Sequence, residues 1–132
     1  SYPVSAKYAE WEETGPDFAR RHTENLHRDM VEANLDEIAR VDSLCRSRGA
    51  RLVLVTLPEW HTYRENVTPA DYRRFTAAID SFSRARDIPW ISYWDDPRFG
   101  ADDFYDADHL TSDAGAIKMT RILRHDLRQI LR

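Results

Sequence analysis

Apolar residues recur every three or four positions in three stretches of this chain, which predicts three helices that each bury one face. The first stretch spans residues 17–48 and ends before Gly49, a suitable C-terminal cap. The second begins with Thr68 as N-cap and Pro69 at the first helical position, and the third follows Thr111, another candidate N-cap. The apolar stripes are Val31, Leu35, Ile38 and Cys45, then Tyr72, Phe75, Ile79 and Phe82, then Ala116, Met119, Leu123, Leu127 and Ile130.

Two short apolar runs predict β-strands on either side of the second helix. Residues 51–57, RLVLVTL, are rich in β-branched side chains and end at Pro58, as expected for a strand buried on both faces. Residues 88–94 form the second strand, in which Pro89 favours an edge position. The order strand, helix, strand predicts a parallel, right-handed βαβ unit. The predicted fold class is therefore α/β, although two strands alone do not make a stable sheet.

The chain is predicted to form one domain preceded by an arm. Residues 1–16 carry no long helical stripe and finish in the breaker pair Gly15 and Pro16, which predicts an irregular N-terminal arm. Residues 17–132 then form a single α/β domain, and a total of 132 residues suits a single core.

Composition and charge exclude several classes of protein. The net charge is -4 with both signs interspersed, which disfavours a general binder of nucleic acid or anionic membranes. Cys45 is the only cysteine, so neither an intrachain disulfide nor a thiolate zinc cluster is available, and we expect a buried structural thiol. No apolar run approaches the roughly 20 residues of a membrane span. These features are compatible with a cytoplasmic protein and with one exported to the cell envelope.

The strongest chemical signal lies in residues 104–115, FYDADHLTSDAG, which are predicted to form a loop ending in a helix start. Asp106 and His109 are three apart, so in a loop both can lie on the same side of the chain. The carboxylate can then accept a hydrogen bond from the imidazole and fix its tautomer and orientation. That arrangement is the orienting half of an acyl-transfer site, and it makes Asp106 and His109 the candidate catalytic residues.

The end of the first predicted strand supplies candidate substrate-binding residues. Ligands of open α/β sheets gather at the carboxyl ends of the strands. Glu59, His61 and Tyr63 follow the strand at 51–57 and are therefore placed near any site. The alternative for His61 is an ordinary histidine of a surface loop.

Metal binding receives little support from the spacing of the acidic and histidine residues. The acidic run around residues 95–109 lacks the glycine and closing glutamate of an EF-hand loop. His22 and His27 are five apart, which places them on different helix faces, and we expect both at the surface. The sequence therefore predicts neither a metal nor another cofactor.

The D-x-x-H-L-T block, followed by a small residue and glycine at the start of the last helix, resembles the final conserved block of the SGNH (GDSL-type) hydrolases. The likeness covers roughly the second half of the chain. It implies a three-layer, flavodoxin-like parallel sheet flanked by helices, and a Ser-His-Asp mechanism in which Asp106 and His109 complete the triad. A weaker likeness, L-P-x-x-x-x-Y at residues 57–63, is to the branch that moves acyl groups onto cell-envelope polymers. It implies an acylated small molecule or a glycan as substrate.

The nucleophile of that mechanism has no counterpart in this sequence. The family's G-D-S strand end and its oxyanion-hole glycine and asparagine segments find no match, and no serine follows a strand in a glycine-rich turn. The chain then corresponds to the C-terminal part of an SGNH fold without its front nucleophile segment, and the serine comes from a missing segment or a partner chain. The alternative is a non-catalytic α/β module that recognises a protein or glycan partner.

Overall fold

The computed structural model describes residues 4–24 and 28–131. It is mostly helical, with one small parallel sheet, so the α/β class is confirmed. Among the described residues, no helix combines the length and the apolar character that crossing a membrane requires. The elements are α1 Val4–Glu24, α2 Val31–Ser47, β1 Leu54–Thr56, α3 His61–Asn66, α4 Pro69–Arg86, β2 Trp90–Ser92 and α5 Gly115–Ile130, with 3-10 turns at Arg28–Met30 and Ala101–Asp103.

The sheet consists of β1 and β2, which pair in parallel as the βαβ pattern predicts. Val55 lies opposite Ile91, and the ladder is extended by a hydrogen bond of 2.9 Å from the Tyr93 N–H to the Thr56 carbonyl. Both strands are shorter than predicted. All three residues of β1 are half-buried, so the prediction of a strand buried on both faces is wrong. The reason is that β1 has a single neighbouring strand within the described part of the chain.

The N-terminal region differs most from the prediction, because helix α1 covers most of the expected irregular arm. The helix runs through Gly15 and Pro16, and the single helix predicted over residues 17–48 is in fact divided between α1 and α2. Trp11, Gly15 and Ala19 are buried and four apart, so they form one stripe of α1. This stripe packs against α3, and tertiary packing of that kind outweighs the weak helical propensity of the Gly-Pro pair.

Gly15 is required by the close approach of α1 to α3. A Cβ atom at Gly15 would lie 2.1 Å from the Thr62 hydroxyl oxygen. That hydroxyl donates a buried hydrogen bond of 2.9 Å to the carbonyl of Trp11. Even the smallest side chain at position 15 would therefore push the two helices apart.

Helix α4 begins where the sequence predicts. Its N-cap Thr68 accepts a hydrogen bond of 3.1 Å from the N–H of Asp71, and Pro69 occupies the first helical position. The helix ends at Asp87, which has a left-handed backbone with φ of 54°. Gly49 is also left-handed, at φ 71°, and follows α2 as a cap should.

A buried carboxylate joins α2 to the end of α4. Asp42 is buried, and its two oxygens lie 3.0 Å from Nε of Arg46 and 3.1 Å from a terminal nitrogen of Arg86. Arg46 also donates to the backbone carbonyl of Arg86 at 2.7 Å. Cys45, on the same helix, is half-buried, so the expectation of a fully buried thiol is wrong.

We predict that Asp42→Ala lowers the free energy of unfolding by about 2–3 kcal/mol. Breaking a buried ion pair costs about 3–5 kcal/mol, and here both arginines retain access to solvent. The control is Glu37→Ala on the same helix, whose exposed pair with Arg40 is worth at most about 1 kcal/mol. Urea unfolding followed by circular dichroism measures both. Equal losses would show that the buried pair does not join α2 to α4.

We predict that Gly15→Ala destabilises the fold by about 1–3 kcal/mol, through overpacking between α1 and α3. Gly100→Ala is the matched control, because a Cβ atom there meets nothing within 4 Å. Helix propensity alone would make Gly15→Ala stabilising by about 1 kcal/mol, so the sign of the change is decisive. Increased stability in thermal or urea unfolding would contradict the close packing of the two helices.

Candidate functional site

The loop that carries Asp106 and His109 rests on a small aromatic core. Trp11, Trp60, Phe104 and Ala107 are buried together. The Trp60 ring lies edge-on to both Trp11 and Phe104, at centroid distances of 5.9 and 5.4 Å. The backbone N–H of Trp60 also donates a hydrogen bond of 3.0 Å to the carbonyl of Ala107. The loop is therefore held against the segment that follows β1.

The loop closes on itself and is then fixed to the start of α5. The N–H of Tyr105 donates to the carbonyl of His109 at 2.8 Å, and Phe104 and Leu110 form an isolated antiparallel bridge. Thr111 accepts a hydrogen bond of 2.9 Å from the Gly115 N–H, although α5 begins only at Gly115, later than predicted. The threonine of the D-x-x-H-L-T block therefore ties the loop to the last helix.

Gly115, the glycine that closes the block, is buried where two segments touch. A Cβ atom there would lie 2.0 Å from the backbone oxygen of Asp103. The same oxygen accepts a hydrogen bond of 2.8 Å from the N–H of Thr111. Only glycine therefore lets the beginning of α5 lie this close to the 3-10 turn Ala101–Asp103.

Asp106 and His109 are in contact, as their spacing predicts. Nδ1 of His109 lies 3.0 and 3.1 Å from the two carboxylate oxygens of Asp106. An ionised carboxylate only accepts hydrogen bonds, so Nδ1 carries the proton. Nε2 has no hydrogen-bond partner within residues 4–24 and 28–131. The imidazole is 67% exposed and lines a cleft of about 310 Å³ between the end of β1 and α5.

Asp108 joins this pair as a third charged group. One of its oxygens lies 3.0 Å from Nδ1 of His109, and its side chain is 10% exposed. The pKa of Asp108 is raised, first by burial and then by its hydrogen bond to Asp106 and the charge of that carboxylate. The pKa of His109 is also raised, chiefly by its hydrogen bond to Asp106, while burial opposes the change. The imidazole is therefore a stronger base than an isolated histidine.

Glu59 lies within electrostatic reach of the two aspartates, in line with its predicted position beside the site. Burial raises the pKa of Glu59 to about 8, and the charges of Asp108 and Asp106 add to this effect. One of its oxygens, Oε2, is fully buried and has no hydrogen-bond partner among the described residues. At neutral pH Glu59 is mostly a neutral acid, which can both donate and accept a hydrogen bond.

Tyr63 reaches the site through His22, which the sequence analysis does not place beside Asp106 and His109. Its hydroxyl lies 3.0 Å from Nδ1 of His22, which is also 3.6 Å from an oxygen of Asp108. Burial, followed by the charges of Glu59 and Asp108, raises the pKa of Tyr63 to about 12. His22 is half-exposed, in keeping with its predicted place at the surface. It contacts this network because it lies in the last turns of α1, which ends at Glu24.

His61 faces other partners than Asp106 and His109. Its Nε2 lies 2.8 Å from an oxygen of Glu12, its Nδ1 lies 3.4 Å from Glu65, and its ring lies 4.8 Å from that of Trp60. It lines a neighbouring cavity, on the far side of Pro58 from the His109 cleft. Glu59 lines the same cavity as His61, whereas Tyr63, the third predicted substrate-binding residue, does not.

Asp106, Asp108 and His109 form a group that could hold a divalent metal ion. One ligand atom each from Asp106, Asp108 and His109 lie within 4.8 Å of one another. Nδ1 of His109 hydrogen-bonds to Asp106, while Oδ1 of Asp108, 3.0 Å from Nδ1, is buried without a hydrogen-bond partner among the described residues. His27, the other histidine weighed for a metal pair, lies outside the described residues. The contacts of Nδ1 with both carboxylates already account for the clustering of these three side chains.

Comparisons with other proteins return no relative of this chain. No protein-family model, no curated protein and no solved structure matches it.

We predict that Asp106→Asn lowers the pKa of His109, because the imidazolium loses the carboxylate that stabilises it. The contribution of this pair to stability is present below the ordinary histidine value of 6.5 and fades as the pH rises through the raised pKa. The stability difference between the unaltered chain and Asp106→Asn should therefore be larger in acid than in alkali. NMR titration of the His109 ring protons gives the pKa directly.

Asp113→Asn is the control for this titration, because Asp113 is an exposed carboxylate of the turn before α5. It should leave the pKa of His109 unchanged. An equal fall in both variants would mean that overall charge, rather than the contact with Asp106, raises the pKa of His109.

Proposed function

We propose that this chain provides the Asp-His part of an acyl-transfer site, in an SGNH-like ester hydrolase or acyl or acetyl transferase. The observation that carries the proposal is the geometry of His109. Asp106 binds Nδ1, and Nε2 is left without a partner in the described region, at an open cleft. This is the arrangement that a general base needs, because the carboxylate fixes the tautomer and stabilises the imidazolium that forms.

In the proposed reaction, Nε2 of His109 takes the proton from a hydroxyl as its oxygen attacks an acyl carbonyl. The proton is then returned to the leaving oxygen when the tetrahedral intermediate collapses, so His109 ends in its starting state. Asp106 keeps its charge throughout. An acylated small molecule or a glycan is the proposed substrate.

The attacking serine is proposed to come from another segment or a partner chain. No described serine hydroxyl hydrogen-bonds to His109, and several bond elsewhere. Those of Ser43, Ser47 and Ser83 donate to the backbone carbonyls of Ala39, Leu44 and Ile88. Ser112 is exposed in the turn before α5.

The open edge of β1 supports the proposal that the fold is part of a larger, three-layer flavodoxin-like sheet. Leu54 and Thr56 make backbone hydrogen bonds toward β2. Because strand residues alternate, the N–H and C=O of Val55 point to the opposite edge. No strand within residues 4–24 or 28–131 pairs with that edge. A further parallel strand there would bury β1 as its apolar sequence predicts.

The second candidate function is a non-catalytic module that binds a protein or a glycan. It is favoured because no serine hydroxyl within residues 4–24 and 28–131 hydrogen-bonds to His109. In this case the Asp106-His109 pair is retained as a structural element of the loop, and the cleft binds without turnover.

Hydrolysis of short-chain p-nitrophenyl esters separates the two functions. Without the serine, water supplies the attacking hydroxyl, so we expect a slow rate above buffer background that His109→Ala lowers by about 10² to 10⁴-fold, the usual contribution of a general base. Asp106→Asn lowers it as well, since the imidazole is no longer held in one tautomer. His125→Ala is the control, because His125 is an exposed histidine of α5, and it should keep the full rate.

The unaltered chain and the variants are compared at equal concentration, after circular dichroism shows that each is folded. A rate that is the same in His109→Ala as in the unaltered chain would refute the acyl-transfer proposal. The binding module would then be the better account.

A further inference from the structure

The second cavity beside the site has no role in the chemistry proposed above. It has a volume of about 200 Å³ and lies on the other side of Pro58 from the His109 cleft. Its walls combine apolar rings with charged groups. The rings are those of Pro58, Trp60, Pro97, Phe99 and Phe104, and the polar lining is Glu59, His61, Arg64, Asp95 and Asp96.

Two buried polar atoms of this lining have no hydrogen-bond partner among the described residues. They are Oε2 of Glu59 and Nε of Arg64. A buried polar group without a partner is costly, so such atoms are rare unless something occupies the space beside them. The carboxyl of Glu59 offers an acceptor and, when neutral, a donor, while Nε of Arg64 offers a donor. A ligand with a pair of hydroxyl groups satisfies both.

The size of the cavity limits the ligand to one small ring. Liquid water occupies about 30 Å³ per molecule, so the volume corresponds to roughly six waters. Sites for drug-sized ligands run from about 300 to 1,000 Å³. An extended acyl chain or a peptide segment does not fit, whereas a single six-membered ring does.

The charge around the cavity excludes anions. Asp96 stays ionised, because its pKa is lowered by the hydrogen bonds it accepts from Arg98. Asp95 lies beside it, and Asp106 and Asp108 are close enough to Glu59 to raise its pKa. Arg98 offsets the charge of Asp96 through their ion pair, but Asp95 and the nearby Asp106 and Asp108 remain, so a phosphate or carboxylate ligand would meet their negative charges with Arg64 as the cation of the lining.

We propose that this cavity binds a neutral polyhydroxylated ring, a pyranose sugar, with its hydroxyls on Glu59 and Arg64 and its C–H face against the aromatic rings. As the acyl acceptor, the sugar would sit next to the cleft of His109, and that assignment rests on the proposed function. Binding itself does not depend on it, because no atom of His109 is used.

The test is titration of the chain with methyl β-D-glucopyranoside, followed in ¹H–¹⁵N NMR spectra. This probe carries no acyl group, so its binding is independent of turnover. We expect saturable shifts confined to the amides of residues 59–64 and 95–104. Arg64→Met should weaken the affinity about tenfold or more, because it removes a hydrogen bond from a charged donor. Arg73→Met, an exposed arginine of α4, should leave the affinity unchanged.

Glu59 is tested by two substitutions. Glu59→Gln should keep binding, since the amide offers both a donor and an acceptor, and Glu59→Leu should abolish it. If Glu59→Leu fails to fold, Glu59→Gln and Arg64→Met still decide the matter. Absence of saturable shifts, equal affinity in Arg64→Met, or competition by sodium acetate would each overturn the proposal. Sugar binding without ester hydrolysis would support the cavity and count against acyl transfer.

Discussion

The contact of the Trp11 indole with the Trp60 ring is the interaction on which the site depends. Trp11 comes from α1, Trp60 precedes the first residue of α3, and Nε1 of Trp11 donates to the carbonyl of Tyr105 in the loop at 2.9 Å. One buried side chain thus joins the N-terminal helix, the end of the sheet and the loop of the Asp-His pair. Aromatic rings of this size dominate small cores, so the loop is held by packing as much as by hydrogen bonds.

Three carboxyl groups lie around His109, rather than the single carboxylate of Asp106. Asp106 and Asp108 both contact its Nδ1, and Glu59 adds a third carboxyl nearby. Three ionised carboxylates in one place would repel each other strongly. The structure avoids this because Glu59 is buried and holds its proton near neutral pH, and because the pKa of Asp108 is raised. The imidazole therefore faces a group of carboxyls whose negative charge is reduced by bound protons.

The sequence predicts those parts of the fold that local chemistry determines. Thr68 and Pro69 define the start of α4, and the apolar runs before and after it give the parallel pair β1 and β2. The spacing of Asp106 and His109 is enough to bring them together, since both lie in one loop.

What the sequence does not reveal arises from contacts between distant segments. Helix α1 crosses the Gly15-Pro16 pair only because its stripe packs on α3, which no local pattern shows. His22 enters the site network by the same route, and Asp108 becomes important only through its burial. The ¹⁵N chemical shifts of the His109 ring, measured above its pKa, test the central claim most directly. Our account predicts a proton on Nδ1 and a bare Nε2, whereas a protonated Nε2 would show that Asp106 does not orient the ring and would contradict it.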